Sequence, residues 1–174
     1  GTYGNRYANL AIANADLIIA LGTRFDTRQT GTRPETFARA AKIVHVDIDA
    51  HELNNKIKAD LPVQMDVKAF LRSLNQNSRN FIIRDYTPWL AWIHKNKRKY
   101  SHDCTGEQET ISPSHFLREV SKALPEDAII CVDVGQNQMW AAQIMEVKKD
   151  QRFLTQGGMA SIGSALPMAI GASF

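Results

Sequence analysis

Cysteine is scarce in this chain: 174 residues contain only Cys104 and Cys131. A disulfide framework is not expected, which fits a reducing cytoplasm. Cys131 sits inside an apolar run, where cysteine behaves as a small hydrophobe. Long hydrophobic runs are also missing, and none approaches the roughly 20 residues of a membrane span. The opening Gly1-Thr2-Tyr3-Gly4 lacks the basic and apolar blocks of a signal peptide. Gly1 in place of an initiator methionine is expected of a stretch internal to a longer protein. Neither a Gly-x-Ser-x-Gly elbow nor a Walker phosphate loop is present, which weighs against hydrolase and P-loop chemistry. The histidines (His45, His51, His94, His102, His115) show no metal-ligand spacing. The loose grouping of His94, His102 and Cys104 falls short of the ligand set of a closed zinc site.

What is present points to a folded α/β protein. Hydrophobic residues make up 44% of the chain, enough for a core. The net charge of +3 has one local source, the cluster Lys95, Lys97, Arg98 and Lys99. Without a nucleic-acid reader motif, that cluster reads as a solvated connector. Neither nucleic acid nor a membrane is expected as a partner.

Apolar patterning predicts a helix over residues 6–15, with Tyr7, Leu10, Ala11 and Ala15 on its buried side. Strands are expected at 17–21 and 43–48, and a short one at 62–65. The continuous run Leu17–Leu21 predicts a strand covered on both faces. Short helices are expected at 35–41 and, as a single turn, at 50–56. Asp66 is an N-cap for a helix over 67–74. Trp89, Trp92 and Ile93 recur at helical spacing within 88–97. The polar stretch 95–110 reads as a linker. Ser112-Pro113 opens another helix, with Phe116, Leu117, Val120 and Leu124 as its stripe. Alternating strands and helices imply parallel sheets.

Two strand-turn-helix units close the chain. The strand 128–132 leads through Asp133-Val134-Gly135-Gln136 into a helix over 137–145. The strand 153–156 leads through Gly157-Gly158-Met159-Ala160-Ser161-Ile162-Gly163 into an apolar helix. In open α/β sheets ligands bind at the carboxyl ends of strands, and helix N–H groups there attract anions. Gly135 permits close backbone approach, with the N–H groups of Gln136 and Asn137 toward an anion. Asn137 serves equally as a plain N-cap, and Ile162 equally as core. In the first half, the loop Gly22-Thr23-Arg24-Phe25-Asp26-Thr27-Arg28 follows a strand. Its arginines suit bidentate bonds to phosphate. Asp47-Ile48-Asp49 ends the neighbouring strand, where an acidic residue accepts from ribose hydroxyls. Surface ion pairs of Arg24 and Arg28 with Asp26 and Asp47 are the alternative.

Together these motifs resemble the thiamine diphosphate (ThDP)-dependent acetolactate synthase family, specifically its large catalytic subunit, over nearly the whole chain. The segments that carry the resemblance are Gly1–Asn5, the Gly-x-Arg-Phe-Asp-x-Arg loop at 22–28, the strand at 43–49, Asp133-Val134-Gly135 through Gln138-Met139-Trp140, and 157–172. The resemblance implies parts of two Rossmann-like or ThDP-fold domains joined by a linker. Residues 1–78 would be the C-terminal part of a central, FAD- or nucleotide-binding-like domain. Residues 79–110 would connect it to 111–174, the N-terminal part of the domain that binds the cofactor's pyrophosphate. Val134, Gly135, Gln136 and Asn137 align with diphosphate-contacting positions; Asn137 stands where the family commonly has histidine. Ala160 aligns with a carbonyl that accepts from the cofactor's amino group. Ile162 aligns with the apolar prop that bends the cofactor; acetolactate synthases usually have methionine there and related decarboxylases isoleucine. Gly22, Thr23, Arg24, Asp26, Arg28, Asp47 and Ile48 align with FAD-contacting positions.

The implied reaction is decarboxylation of pyruvate or another 2-oxo acid and carboligation to a second carbonyl compound, as in branched-chain amino acid biosynthesis. The class is transferase or lyase. The family's magnesium motif and its activating glutamate lie outside these residues, so the chain by itself is expected to be inactive. A cytoplasmic homodimer or homotetramer, with or without a regulatory subunit, is the implied assembly. Two alternatives remain: another ThDP-dependent 2-oxo acid decarboxylase or lyase, and a non-catalytic nucleotide-binding module.

Overall fold

A computed structural model describes residues 1, 3–82, 84–100 and 111–174. The chain divides into two compact units, Gly1–Tyr100 and Ser101–Phe174. The expected linker residues 101–110, with His102 and Cys104, lie outside the described residues, as does Thr2.

The first unit is a parallel sheet in the order β1 (Leu17–Leu21), β2 (Lys42–Asp47), β3 (Leu61–Gln64). Leu21 pairs with Val46 and Val46 with Val63, so the carboxyl ends of all three strands lie along one edge. Helix α1 (Arg6–Ala13) precedes β1 and packs against α4 (Thr87–Lys99). Helix α1 stops two residues before the expected Ala15. Cations seal the packing of these two helices: Arg6 lies 4.5 Å from the centre of the Tyr100 ring, and Lys97 5.9 Å from that of Tyr7. Trp89 and Trp92 stack at 5.0 Å, as their helical spacing predicts.

The core lies on one side of the sheet, where Ala20, Phe25, Ile43, Ile57 and Ala59 cluster with Ile18 and Phe37 packed against them. Helix α3 (Val67–Asn77) lies against β2. Asp66 caps α3 by accepting from the Ala69 N–H at 3.0 Å, as the sequence implies.

Three expectations need correction. Strand β1 is not covered on both faces: Leu17 and Ile19 are 52% and 44% exposed. The apolar run signalled a strand correctly, but among the described residues no layer closes over these two side chains. The expected helix at 35–41 is a single 3₁₀ turn, Pro34–Thr36, followed by turns. Ala38, at φ 41°, breaks the right-handed path there. Residues 50–54 form turns rather than a helix, and Asn54 is left-handed at φ 60°. Its side chain accepts from the Ala59 N–H at 2.8 Å, the local bond that lets asparagine hold such turns.

The second unit pairs β4 (Ile129–Val132) with β5 (Arg152–Thr155) in parallel, Val132 opposite Thr155. Helix α5 (Pro113–Ala123) leads into β4 and packs against α6 (Gln136–Ile144); α7 (Ala165–Ala172) packs on β4. Buried Ser121 and Gln151 satisfy the loop that returns the chain to β5. Ser121 Oγ accepts from Glu146 N–H at 3.0 Å, and Gln151 Nε2 donates to the Pro125 carbonyl at 2.6 Å. The α/β class with parallel strands stands as the sequence implies.

Candidate functional site

Each unit gathers its expected site residues at the carboxyl edge of its own sheet. In the second unit, β4 ends at Val132, and Asp133 and Val134 turn the chain into α6. Gly135 sits at φ 144°, ψ −163°, a conformation essentially confined to glycine. It is the N-cap of α6, so Gln136 and Asn137 occupy the first turn, whose N–H groups have no intrahelical acceptor. The Asn137 Oδ1 comes within 3.1 Å of where a side chain on Gly135 would begin.

The parallel strand β5 ends at Thr155 and opens the second turn. Gln156 Oε1 accepts from the Ser161 N–H at 3.1 Å and closes the turn on itself. A Cβ placed on Gly157, Gly158 or Gly163 would meet nothing within 4 Å, so the space over the turn is open. Ala160 is left-handed at φ 55°. Ile162 and Met159 are 82% and 85% exposed. Ile162 is therefore not a core residue of this unit, one of the two readings its sequence allowed.

Asp133 joins the two turns. Its carboxylate accepts from Val134 N–H at 2.8 Å, from Gly163 N–H at 2.9 and 2.8 Å, and from Ser164 N–H at 3.2 Å. These bonds, the one from Val134 foremost, hold its pKa below the ordinary carboxylate value. Below them, Gln138 Nε2 donates to Thr155 Oγ1 at 2.8 Å and links α6 to β5. Asp133 thus ties the corner, with its first-turn N–H groups, to the turn that carries exposed Ile162. A groove between α7 and the sheet, lined by Ile129, Arg152, Leu154, Met168 and Phe174, shares no residue with these two turns.

In the first unit, Gly22 (φ 56°) continues the ladder by donating to the Val46 carbonyl at 2.8 Å. Thr23, Arg24 and Phe25 follow, and Asp26 caps the short helix α2 (Thr27–Thr30) through a capping box with Gln29. Arg24 Nη2 lies 3.2 Å and Arg28 Nε 2.9 Å from the Asp26 carboxylate. The Arg28 guanidinium, with the Arg28 N–H, lowers the Asp26 pKa to about 2. Asp26 therefore takes both arginines. Asp47 instead accepts the Asp49 N–H at 2.9 Å, and Ile48 is 70% exposed beside it. All seven expected residues, Gly22, Thr23, Arg24, Asp26, Arg28, Asp47 and Ile48, lie along the ends of β1 and β2.

Sequence reasoning passed over several residues that shape these edges. His45 is fully buried; its Nε2 lies 2.8 Å from the Thr23 carbonyl and its ring 4.8 Å from that of Phe25. Phe25 is buried at φ 50° and also meets Phe37 edge-on at 5.7 Å. His45 thus holds a loop whose backbone is left-handed at a bulky residue. Lys56 Nζ reaches Thr27 Oγ1 at 3.1 Å and adds a cation beside the arginines. A polar residue within an apolar strand was the available signal for His45, and a carboxylate directly after one was the signal for Asp133. Among the described residues no cluster of histidine, cysteine or carboxylate could hold a metal ion. Among them too, no helix is long and apolar enough to cross a membrane.

Comparison with known proteins places each edge within a matched domain. Residues 1–74 match the family model described as thiamine pyrophosphate enzyme, central domain. Residues 133–174 match that of the thiamine pyrophosphate enzyme, C-terminal TPP binding domain. The chain belongs to the thiamine pyrophosphate enzymes. Over 172 residues it is 39% identical to the acetolactate synthase large subunit of Lactococcus lactis subsp. lactis (strain IL1403), covering 99% of this chain and 29% of that protein. It is 38% identical over 176 residues to the chloroplastic acetolactate synthase of Arabidopsis thaliana, covering 99% and 26%. A probable acetolactate synthase large subunit of Methanocaldococcus jannaschii is 36% identical over 178 residues, with 99% and 30% covered. Within its class this is an acetolactate synthase-like sequence. The chain spans less than a third of the length of these relatives.

Proposed function

We propose that this chain forms the diphosphate-gripping and cofactor-bending part of an acetolactate synthase-like enzyme. That enzyme decarboxylates pyruvate or another 2-oxo acid and joins the product to a second carbonyl compound. One observation carries the reading: the corner at Val134–Asn137 and the turn at Gly157–Ser164 rise side by side from parallel strands and are tied together by Asp133. When bound, the cofactor supplies the electron sink for loss of carbon dioxide. Gly135 leaves room for a phosphate oxygen against the backbone. The Gln136 and Asn137 N–H groups donate to the diphosphate at the positive end of α6. Val134 lies on the approach to that corner. The Ala160 carbonyl accepts from the cofactor's amino group. Exposed Ile162 would serve as the apolar prop against which the cofactor bends. A magnesium ion, held by ligands outside these residues, would offset the charge of the diphosphate.

On the same reading, residues 1–78 belong to a central domain whose sheet edge takes FAD, 79–110 connect, and 111–174 begin the cofactor domain. Arg24 and Arg28 are half-exposed, and among the described residues both make their ion pairs with Asp26, so they can turn to a phosphate at little cost. Asp47 would then accept from a ribose hydroxyl, with Ile48 beside it. The assembly is a cytoplasmic homodimer or homotetramer, with a regulatory subunit as an additional partner.

On the full-length enzyme that carries this chain, calorimetric titration with thiamine diphosphate, with and without magnesium, tests the reading, paired with product analysis from pyruvate. Magnesium-dependent binding with acetolactate as product is expected. Release of free aldehyde alone would assign a simple decarboxylase, the alternative for which Ile162 speaks. Binding of FAD or ADP without any thiamine diphosphate binding would leave a nucleotide-binding module and overturn the proposal.

A further inference from the structure

We propose that Asp133 is a positioning residue: its carboxylate sets the spacing between the diphosphate corner and the turn that carries Ile162, so that both act as one preformed cradle. The inference rests on reading the cradle as the cofactor site. It adds a residue outside the set expected to touch the cofactor.

Asp133 sits at the end of β4, one residue before the corner. Its Oδ1 holds the Val134 N–H within the corner itself. The same carboxylate reaches across thirty positions of sequence to chelate the Gly163 N–H with both oxygens, at 2.9 and 2.8 Å. It also takes the Ser164 N–H at 3.2 Å and the Ser164 hydroxyl at 3.4 Å. Gly163 directly follows Ile162, and Ser164 is the N-cap of α7. One side chain therefore fixes the prop, the start of α7 and the diphosphate corner in a common frame.

The second turn needs such a frame. Ala160 carries a side chain on left-handed backbone, at φ 55°. Backbone of that kind persists only where its surroundings over-determine it. The Gln156–Ser161 bond is internal to the turn and cannot set its distance from the corner.

The job also calls for a carboxylate. It accepts at both oxygens and carries no donor. An asparagine amide would aim its own N–H groups at the Gly163 or Ser164 donors. Removing the charge leaves the β4–β5 ladder and the Gln138–Thr155 link in place, so the fold has other support.

The test uses Asp133→Asn with three readouts. Titration with thiamine diphosphate at fixed excess magnesium is expected to show an affinity about tenfold weaker or worse. The thermal midpoint without cofactor is expected to stay within a few degrees of the unsubstituted protein. Hydrogen exchange at the Gly163 and Ser164 amides is expected to be slow in the unsubstituted, cofactor-free protein and at least tenfold faster in the variant. Unchanged affinity in the variant overturns the proposal. So does a fallen midpoint with undiminished affinity of the folded fraction, which marks Asp133 as merely structural. Should the variant not fold, exchange in the unsubstituted protein decides. Gly163 slower than the exposed Gly158 sustains the tie, and equal rates refute it. If the unsubstituted protein itself fails to bind thiamine diphosphate, the cradle reading falls and this proposal with it. If it binds and the variant binds equally, only the positioning role is lost.

Discussion

Replacing Gly135 with alanine places a Cβ on backbone at φ 144°, ψ −163°. Residues other than glycine are essentially absent from that region, and holding one there costs about 1–3 kcal/mol. The new methyl also meets the Asn137 Oδ1 at 3.1 Å, tighter than ordinary contact. That clash is with a side chain, which can swing away. The backbone term cannot be relieved without rotating the peptide that aims the Gln136 and Asn137 N–H groups. The corner must therefore either stay and carry the strain, or relax and lose its aim. With ordinary urea sensitivity, a loss of this size lowers the unfolding midpoint of the second unit by roughly 1 M. Cofactor affinity falls together with it. Urea titration followed by circular dichroism gives the first quantity, and calorimetry with thiamine diphosphate and magnesium the second. The double variant Gly135→Ala with Asn137→Ala separates the two causes, because it removes the clash and keeps the strain. Most of the loss is expected to remain. Full recovery in the double variant would show that contact rather than backbone conformation matters. A single variant as stable and as avid as the unsubstituted protein would refute the reasoning altogether.

Three further outcomes follow from the geometry. His45→Ala removes a fully buried ring and its bond to the Thr23 carbonyl, and should destabilise the first unit by about 2–4 kcal/mol in thermal denaturation; a loss under about 1 kcal/mol contradicts the role given to it. The Asp26 carboxyl is depressed to about 2 with Arg28 as first cause, so its contribution to the loop is complete above the ordinary carboxyl value of about 3.9 and disappears as pH falls through about 2. In Arg28→Ala that disappearance moves to higher pH, toward the ordinary value, read by carbon NMR of the Asp26 carboxyl; a normal midpoint in the unsubstituted protein sinks this. Ile162→Ala alters an 82%-exposed side chain, so stability should change by no more than about 0.5 kcal/mol, while turnover of the enzyme falls about tenfold or more; a large drop in the unfolding midpoint would instead make Ile162 a packing residue.

Much of the fold was legible because local signals agreed with one another. Leu17–Leu21 is an unbroken apolar run and forms β1 with those limits. Asp66 before the apolar stripe of α3 caps it as expected. The errors fell where backbone handedness, invisible to apolar spacing, decides the outcome: Ala38 and Asn54 turn left and end what the pattern read as helices. The number of layers over β1 is a property of packing partners and could not be read from its residues. At the sites, strand-then-glycine patterns located both edges, but not the contacts that stiffen them. Asp26-x-x-Gln29 is a capping-box pattern visible in the sequence, and it foretells that Asp26 faces its own helix rather than standing free. His45 and Asp133 act on Thr23, twenty-two positions away, and on Gly163, thirty positions away; only folding brings these groups together.

Residue-resolved NMR decides whether the corner after β4 receives the diphosphate of thiamine diphosphate. Adding the cofactor with magnesium to the full-length enzyme is expected to shift the amide resonances of Gly135, Gln136 and Asn137 first and most. Saturable binding that leaves these three amides unmoved while others shift would contradict it.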